Sequence, residues 1–121
     1  MLIQKRQTVF VLDDHPVYLN LVAQYLTQTQ HYLVKKFSKA SDFLEKLRLN
    51  PDIVILDYHL DNENGKEVNG IDVLKKVKEQ NPESYVVVLT RDDKTETAVN
   101  CIKAGAYDYV VKNESAFRNL S

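Results

Sequence analysis

Ile53-Val54-Ile55-Leu56-Asp57 sets four aliphatic residues in an unbroken row and ends them on a carboxylate. A continuous apolar run of this length, rich in β-branched residues, is the mark of a strand covered on both faces; a half-exposed strand would alternate. Three more runs have the same character: Val9 to Leu12, Tyr85 to Leu89 and Tyr107 to Val111. A weaker one, Tyr32 to Phe37, carries two lysines and reads as an edge strand. Between the runs lie segments with helical patterning: Pro16 to Thr27, Ser41 to Leu47, Ile71 to Gln80, Thr95 to Ala104, and an incomplete one from about Glu114. Pro16 suits a first helical turn, Asn81-Pro82 a helix end, Asp93-x-x-Glu96 a capping box and Gly105 a C-cap. Strands alternating with helices at this spacing imply right-handed crossovers and a parallel sheet with helices on both faces. The expected architecture is therefore α/β, a doubly wound (βα)5 domain.

Composition is consistent with that reading and removes several others. The 121 residues suffice for one domain, here taken as 1–121, and 44% hydrophobic with 27% charged residues is ordinary for a folded globular chain. Sixteen basic against seventeen acidic side chains give a formal charge of -1, so no global positive field points to nucleic acid or an anionic membrane. The single cysteine, Cys101, cannot form an intramolecular disulfide, which favours a reducing, cytoplasmic setting. MLIQKRQ is too polar for a signal peptide, and no apolar run approaches the ~18 residues that span a bilayer. The three glycines, Gly65, Gly70 and Gly105, form neither a dinucleotide nor a P-loop phosphate cradle.

In open parallel sheets, ligands sit beyond the carboxyl ends of the strands. Four of the five expected strands deliver polar groups there: Asp13-Asp14, Asp57, Thr90 and Lys112. Singly, each has a plain reading: a helix N-cap for Asp13 or Asp14, a strand residue for Thr90, a solvated charge for Lys112. Asp57 resists one, because a carboxylate placed after four aliphatic residues needs a partner or a cation. Three carboxylates held together repel, and a hard divalent cation such as Mg²⁺ plus a lysine compensates them. A carboxylate beside Mg²⁺, an ammonium and a hydroxyl donor suits attack on phosphorus to give an aspartyl-phosphate.

At this point the chain resembles the receiver domain of two-component response regulators. The resemblance runs over essentially the whole length and rests on VLDD (Leu12 to Asp14), VILD (to Asp57), VVVLT (to Thr90) and KAGAYDYVVK (to Lys112). It implies a flavodoxin-like sheet of order 2-1-3-4-5. It implies that Asp57 accepts the phosphoryl group, that Asp14, Asp57 and the backbone carbonyl of His59 bind Mg²⁺ directly, and that Asp13 acts through bound water. Thr90 and Lys112 would contact the phosphoryl group. Tyr109, three residues before the lysine, becomes through the resemblance the switch aromatic moving with Thr90, although an aromatic in a buried strand is by itself more often core than switch. The implied partners are a sensor histidine kinase or a histidine phosphotransfer protein as donor. An output domain or partner protein would read the face formed by helix 4, strand 5 and helix 5, and a phosphorylation-dependent homodimer is left open. Neither direct nucleic-acid binding nor a membrane is expected of this domain, nor turnover of an external substrate. A degenerate receiver used only for protein contacts is the alternative. An aspartyl phosphatase is disfavoured, because those enzymes carry an acid two residues after the nucleophile, where this chain has His59.

The sequence also departs from the family pattern. Gly70 lies thirteen positions after Asp57, so the loop before helix 3 is several residues longer than usual and lacks its customary proline. A surface excursion of that kind costs well under ~1 kcal/mol in closure entropy. Asn113 replaces the proline usual after the lysine and is a candidate N-cap for the last helix. Either a trans peptide with a rearranged loop or a strained cis bond follows there. Arg91 stands where a small residue is customary and is expected to point to solvent; His59 and Asp92 occupy positions that tune dephosphorylation in the family. Only nine residues follow Lys112, so a truncated helix 5 and a missing C-terminal output domain are expected.

Overall fold

The computed structural model describes residues 6–60, 69–91 and 94–112. In chain order the elements are β1 (Thr8–Leu12), α1 (Pro16–Gln30), β2 (Leu33–Phe37), α2 (Ala40–Lys46), a 3-10 turn (Leu47–Leu49), β3 (Ile53–Asp57), α3 (Gly70–Gln80), β4 (Tyr85–Thr90), α4 (Thr95–Lys103) and β5 (Asp108–Val111). All strand pairs are parallel, in the order β2-β1-β3-β4-β5. The expected strand order and the edge position of β2 are both found.

The continuous apolar runs are explained by burial on two sides. Phe10, Leu12, Val54, Leu56, Val86 and Val88 face one core, with Phe43 of α2, Val73, Leu74 and Val77 of α3 and Cys101 of α4. The alternate residues Val9, Val11, Ile55, Leu89 and Val110 pack with Leu19, Val22 and Leu26 of α1 in a second core. Because successive side chains point to opposite faces, every residue of an inner strand must be apolar until the chain reaches the rim.

Several boundaries move for local reasons. Helix α1 continues to Gln30, three residues past the expected Thr27, since nothing in Gln28-Thr29-Gln30 breaks a helix; it stops where His31 turns left-handed, at φ 58°. Tyr107 falls outside β5, which begins at Asp108. The Asp93–Glu96 capping box is out of register: Lys94 is the N-cap residue of α4 and makes no side-chain cap bond, while Asp93 lies outside the described residues. Asp13 and Asp14 are not N-caps either, because His15 occupies that position in front of Pro16. Gly105 is displaced by one residue from the expected C-cap, which is Ala104. With φ 108° Gly105 lets its own N–H reach the Ile102 carbonyl and the Ala106 N–H reach that of Cys101, satisfying the end of α4.

Gly70 is required for a different reason. A Cβ there would lie 2.6 Å from both the Cα and the carbonyl oxygen of Tyr58. The Gly70 N–H instead donates to that carbonyl at 3.1 Å, and Asn69 caps α3 by accepting from the Ile71 N–H at 2.9 Å. The start of α3 is thereby clamped against the residue following Asp57. The expected fifth helix from about Glu114, Asn113 as its cap, the Lys112–Asn113 peptide, Asp92 and residues 61–68 of the long loop lie outside the described residues.

Candidate functional site

Three strand ends converge at the carboxyl rim. β1 runs out into Asp13 and Asp14, β3 ends on Asp57 and β5 is followed directly by Lys112. Asp13 and Asp57 are buried, at 1% and 2% exposure, although both are carboxylates. Their counter-charge is Lys112, whose Nζ lies 2.8 Å from Asp13 Oδ2 and 3.2 Å from Asp57 Oδ1. The same ammonium sits 4.5 Å from the ring centroid of Tyr18 on α1. Asp13 Oδ1 also accepts the His15 backbone N–H at 2.9 Å, which orders the turn into α1. Thr90, the last residue of β4, is fully buried, and its carbonyl accepts the Lys112 N–H, tying β5 to the rim.

Among the described residues, Lys112 is the one lysine or arginine paired with Asp13 and Asp57, and the three acids crowd their negative charge around it. Ligand atoms of Asp13, Asp14, Asp57 and His15 all lie within 4.8 Å of one another, and the Asp57 Oδ2 is buried with no hydrogen-bond partner among the described residues. Burial, then the Asp13 charge, pushes the Asp57 carboxyl up to about 7; Lys112 pulls the other way by its charge and hydrogen bond, and Asp14 adds a smaller upward push. An orphaned carboxylate oxygen in a cluster of hard oxygen donors is the arrangement a divalent cation completes. The residues present therefore fit a metal ion of that class.

The structure brings Asp13, Asp14, Asp57 and Lys112 together, and puts Thr90 at the end of β4 on the same rim. His59 is exposed two residues beyond Asp57 and forms an isolated bridge with Asn69. Tyr109 is half-buried beside Val88 and packs on the core that contains Cys101 and Ala106. Arg91 is exposed, as expected. Two residues gain importance that the sequence had not suggested. His15, directly after Asp14 and in front of α1, places Nδ1 3.1 Å from Asp14 Oδ1 and inside the acidic cluster. Tyr18, unremarkable on an amphipathic helix, is in contact with the lysine.

A family model for the "Response regulator receiver domain" matches residues 9–120. The chain belongs to that family. It is the receiver domain of a two-component response regulator. It is 33% identical over 105 residues to the probable transcriptional regulatory protein TcrX of Mycobacterium tuberculosis, covering 87% of this chain and 43% of TcrX. It is 35% identical to a putative response regulator NtrX-like of Rickettsia typhi, covering 86% of this chain and 21% of that protein. The receiver spans less than half the length of either relative. The solved receiver domain of NtrX from Brucella abortus superposes with a TM-score of 0.79 at 31% identity, over 93% of this chain and 91% of that one. Among the described residues, no helix is long and apolar enough to cross a membrane.

Proposed function

We propose that this receiver takes a phosphoryl group onto Asp57 from the phosphohistidine of a sensor histidine kinase or a histidine phosphotransfer protein, in a Mg²⁺-dependent reaction. The observation that carries the reading is the Asp57 carboxylate itself. It is buried, one oxygen is paired with Lys112, and the other is without a hydrogen-bond partner among the described residues at the open end of the sheet. A carboxylate oxygen attacks phosphorus, the bond to the donor nitrogen breaks with its electron pair, and an acyl phosphate remains on Asp57. Asp14, Asp57 and the His59 carbonyl are the residues that would hold Mg²⁺, with Asp13 acting through water. His15 is placed to adjust them from the cluster's edge. Mg²⁺, when bound, supplies positive charge for the equatorial phosphoryl oxygens and keeps the carboxylates ionised at neutral pH. Lys112 needs only to exchange a carboxylate oxygen for a phosphoryl oxygen, and Thr90 donates its hydroxyl to another.

Thr90 follows Val86 and Val88 along one face of β4, and Tyr109 pairs with Val88 on β5. With period-two alternation, the hydroxyl and the ring share that face. This placement supports a switch in which Thr90 moves toward the phosphoryl group and Tyr109 follows, shifting the population of the α4–β5 surface. Val99 and Ile102 of α4 are exposed there, the apolar component that an output domain, a partner or a second phosphorylated copy would cover. The domain acts as a signalling module in which the only product is its own modified side chain.

Incubation with Mg²⁺ and acetyl phosphate tests this. A mass gain of one phosphoryl group, labile to base and lost in Asp57→Asn, is expected. An unmodified protein would overturn the phosphoacceptor reading and return the degenerate, interaction-only receiver.

A further inference from the structure

Lys112 is held by more than its two carboxylates. Tyr18 places its ring under the ammonium at 4.5 Å from the centroid, while the rest of the side chain packs on the core formed by α1 and the sheet. The ring is thus anchored from the α1 side, and the ion is nearly sealed from water, with 8% of the lysine side chain exposed. The Tyr18 phenol is neutral at physiological pH at its ordinary value of 10.0, and burial first, then the charges of Asp13 and Asp57, push it higher still. A lysine has a long rotatable stem and a non-directional charge, and β5, which launches it, is only four residues long. A rigid aromatic face removes freedom that a carboxylate pair alone would leave.

We propose that Tyr18 is a positioning residue for phosphoryl transfer: its ring keeps the Lys112 ammonium in the pocket while the ion passes from the carboxylates to the incoming phosphoryl oxygens. The inference rests on the roles given above to Asp57 and Lys112. A residue that merely fills the core would be replaceable by any side chain of similar bulk; a positioning ring is replaceable only by another ring.

The test compares Tyr18→Phe with Tyr18→Leu in phosphorylation by acetyl phosphate at saturating Mg²⁺, in wild-type and Lys112→Ala backgrounds. Tyr18→Leu should slow the reaction about five- to tenfold, the fold-change expected from losing a desolvated cation–π contact, and Tyr18→Phe should stay within about twofold of wild type. In Lys112→Ala the Tyr18→Leu change should have little further effect, because its target is gone. The amine resonances of Lys112 should lie upfield of the other lysines in the wild-type protein and in Tyr18→Phe through the ring current, whether or not Tyr18→Leu folds. Normal lysine shifts for Lys112 in the wild type, an unslowed Tyr18→Leu, or an equal loss in both backgrounds would each overturn the proposal. Absence of labelling in wild type would instead sink the phosphoacceptor reading beneath it.

Discussion

Replacing Asp57 by Asn should stabilise the metal-free protein most at pH 8, less at pH 5, and scarcely at all below the ordinary carboxyl value of 3.8. In the fold the Asp57 carboxyl sits at about 7, against an ordinary value of 3.8, raised first by burial and next by the Asp13 charge. Between those two values the folded state binds the proton that the unfolded chain releases. The raised group therefore contributes stability that is fully present below the unfolded value and lost as pH climbs through about 7. Over the window from about pH 5 to pH 8 the loss is about 2.5 kcal/mol, which for a chain of this size lowers Tm by roughly 10 °C. Asparagine has the shape of the protonated acid and cannot ionise, so its stability profile should lack this component, while Lys112 keeps its 2.8 Å pair with Asp13. The assay is urea unfolding of chelator-treated wild type and Asp57→Asn at several pH values, with the difference between them cancelling groups that titrate alike in both. Millimolar Mg²⁺ should flatten the wild-type profile by competing with the proton. Parallel profiles for the two proteins would refute the reasoning, because Asp57 would then be no more costly to ionise in the fold than in the unfolded chain.

Lys112→Met removes the only cation among the described residues paired with Asp13 and Asp57, and should cost about 3 kcal/mol at pH 8, with much of it recovered on acidification, read from urea midpoints. Gly70→Ala sets a Cβ 2.6 Å from the Tyr58 backbone; it should destabilise by about 1–3 kcal/mol and weaken Mg²⁺ binding, measured by calorimetry, since it displaces the segment leading to His59. Asn69→Ala loses the cap on the Ile71 N–H and should cost about 1 kcal/mol in urea unfolding without changing the Mg²⁺ midpoint. Gly105→Ala forces a side chain into φ 108° and should lower stability by about 1 kcal/mol or more, again read from the urea midpoint.

Four aliphatic residues running unbroken into Asp57 are enough to announce a strand covered on both sides, because only an inner parallel strand lacks a polar face. Repetition of that pattern, with helical spacing between, settles the architecture, and the positions of Asp13, Asp14, Asp57, Thr90 and Lys112 at run ends follow from it. These features are local: they depend on periodicity and on where a run stops. What the tertiary structure decided is how these ends share charge. A lysine compensating the carboxylates is expected from the sequence, but not that its ammonium, 99 residues along the chain from Asp13, stands 2.8 Å from Asp13 and 3.2 Å from Asp57 at once. Nor does the sequence say that a tyrosine on α1 will lie under the ammonium, or that a backbone carbonyl at Tyr58 will forbid any side chain at Gly70. Such contacts arise from packing one layer against another, and their strength depends on burial, which removes the screening that water would otherwise provide.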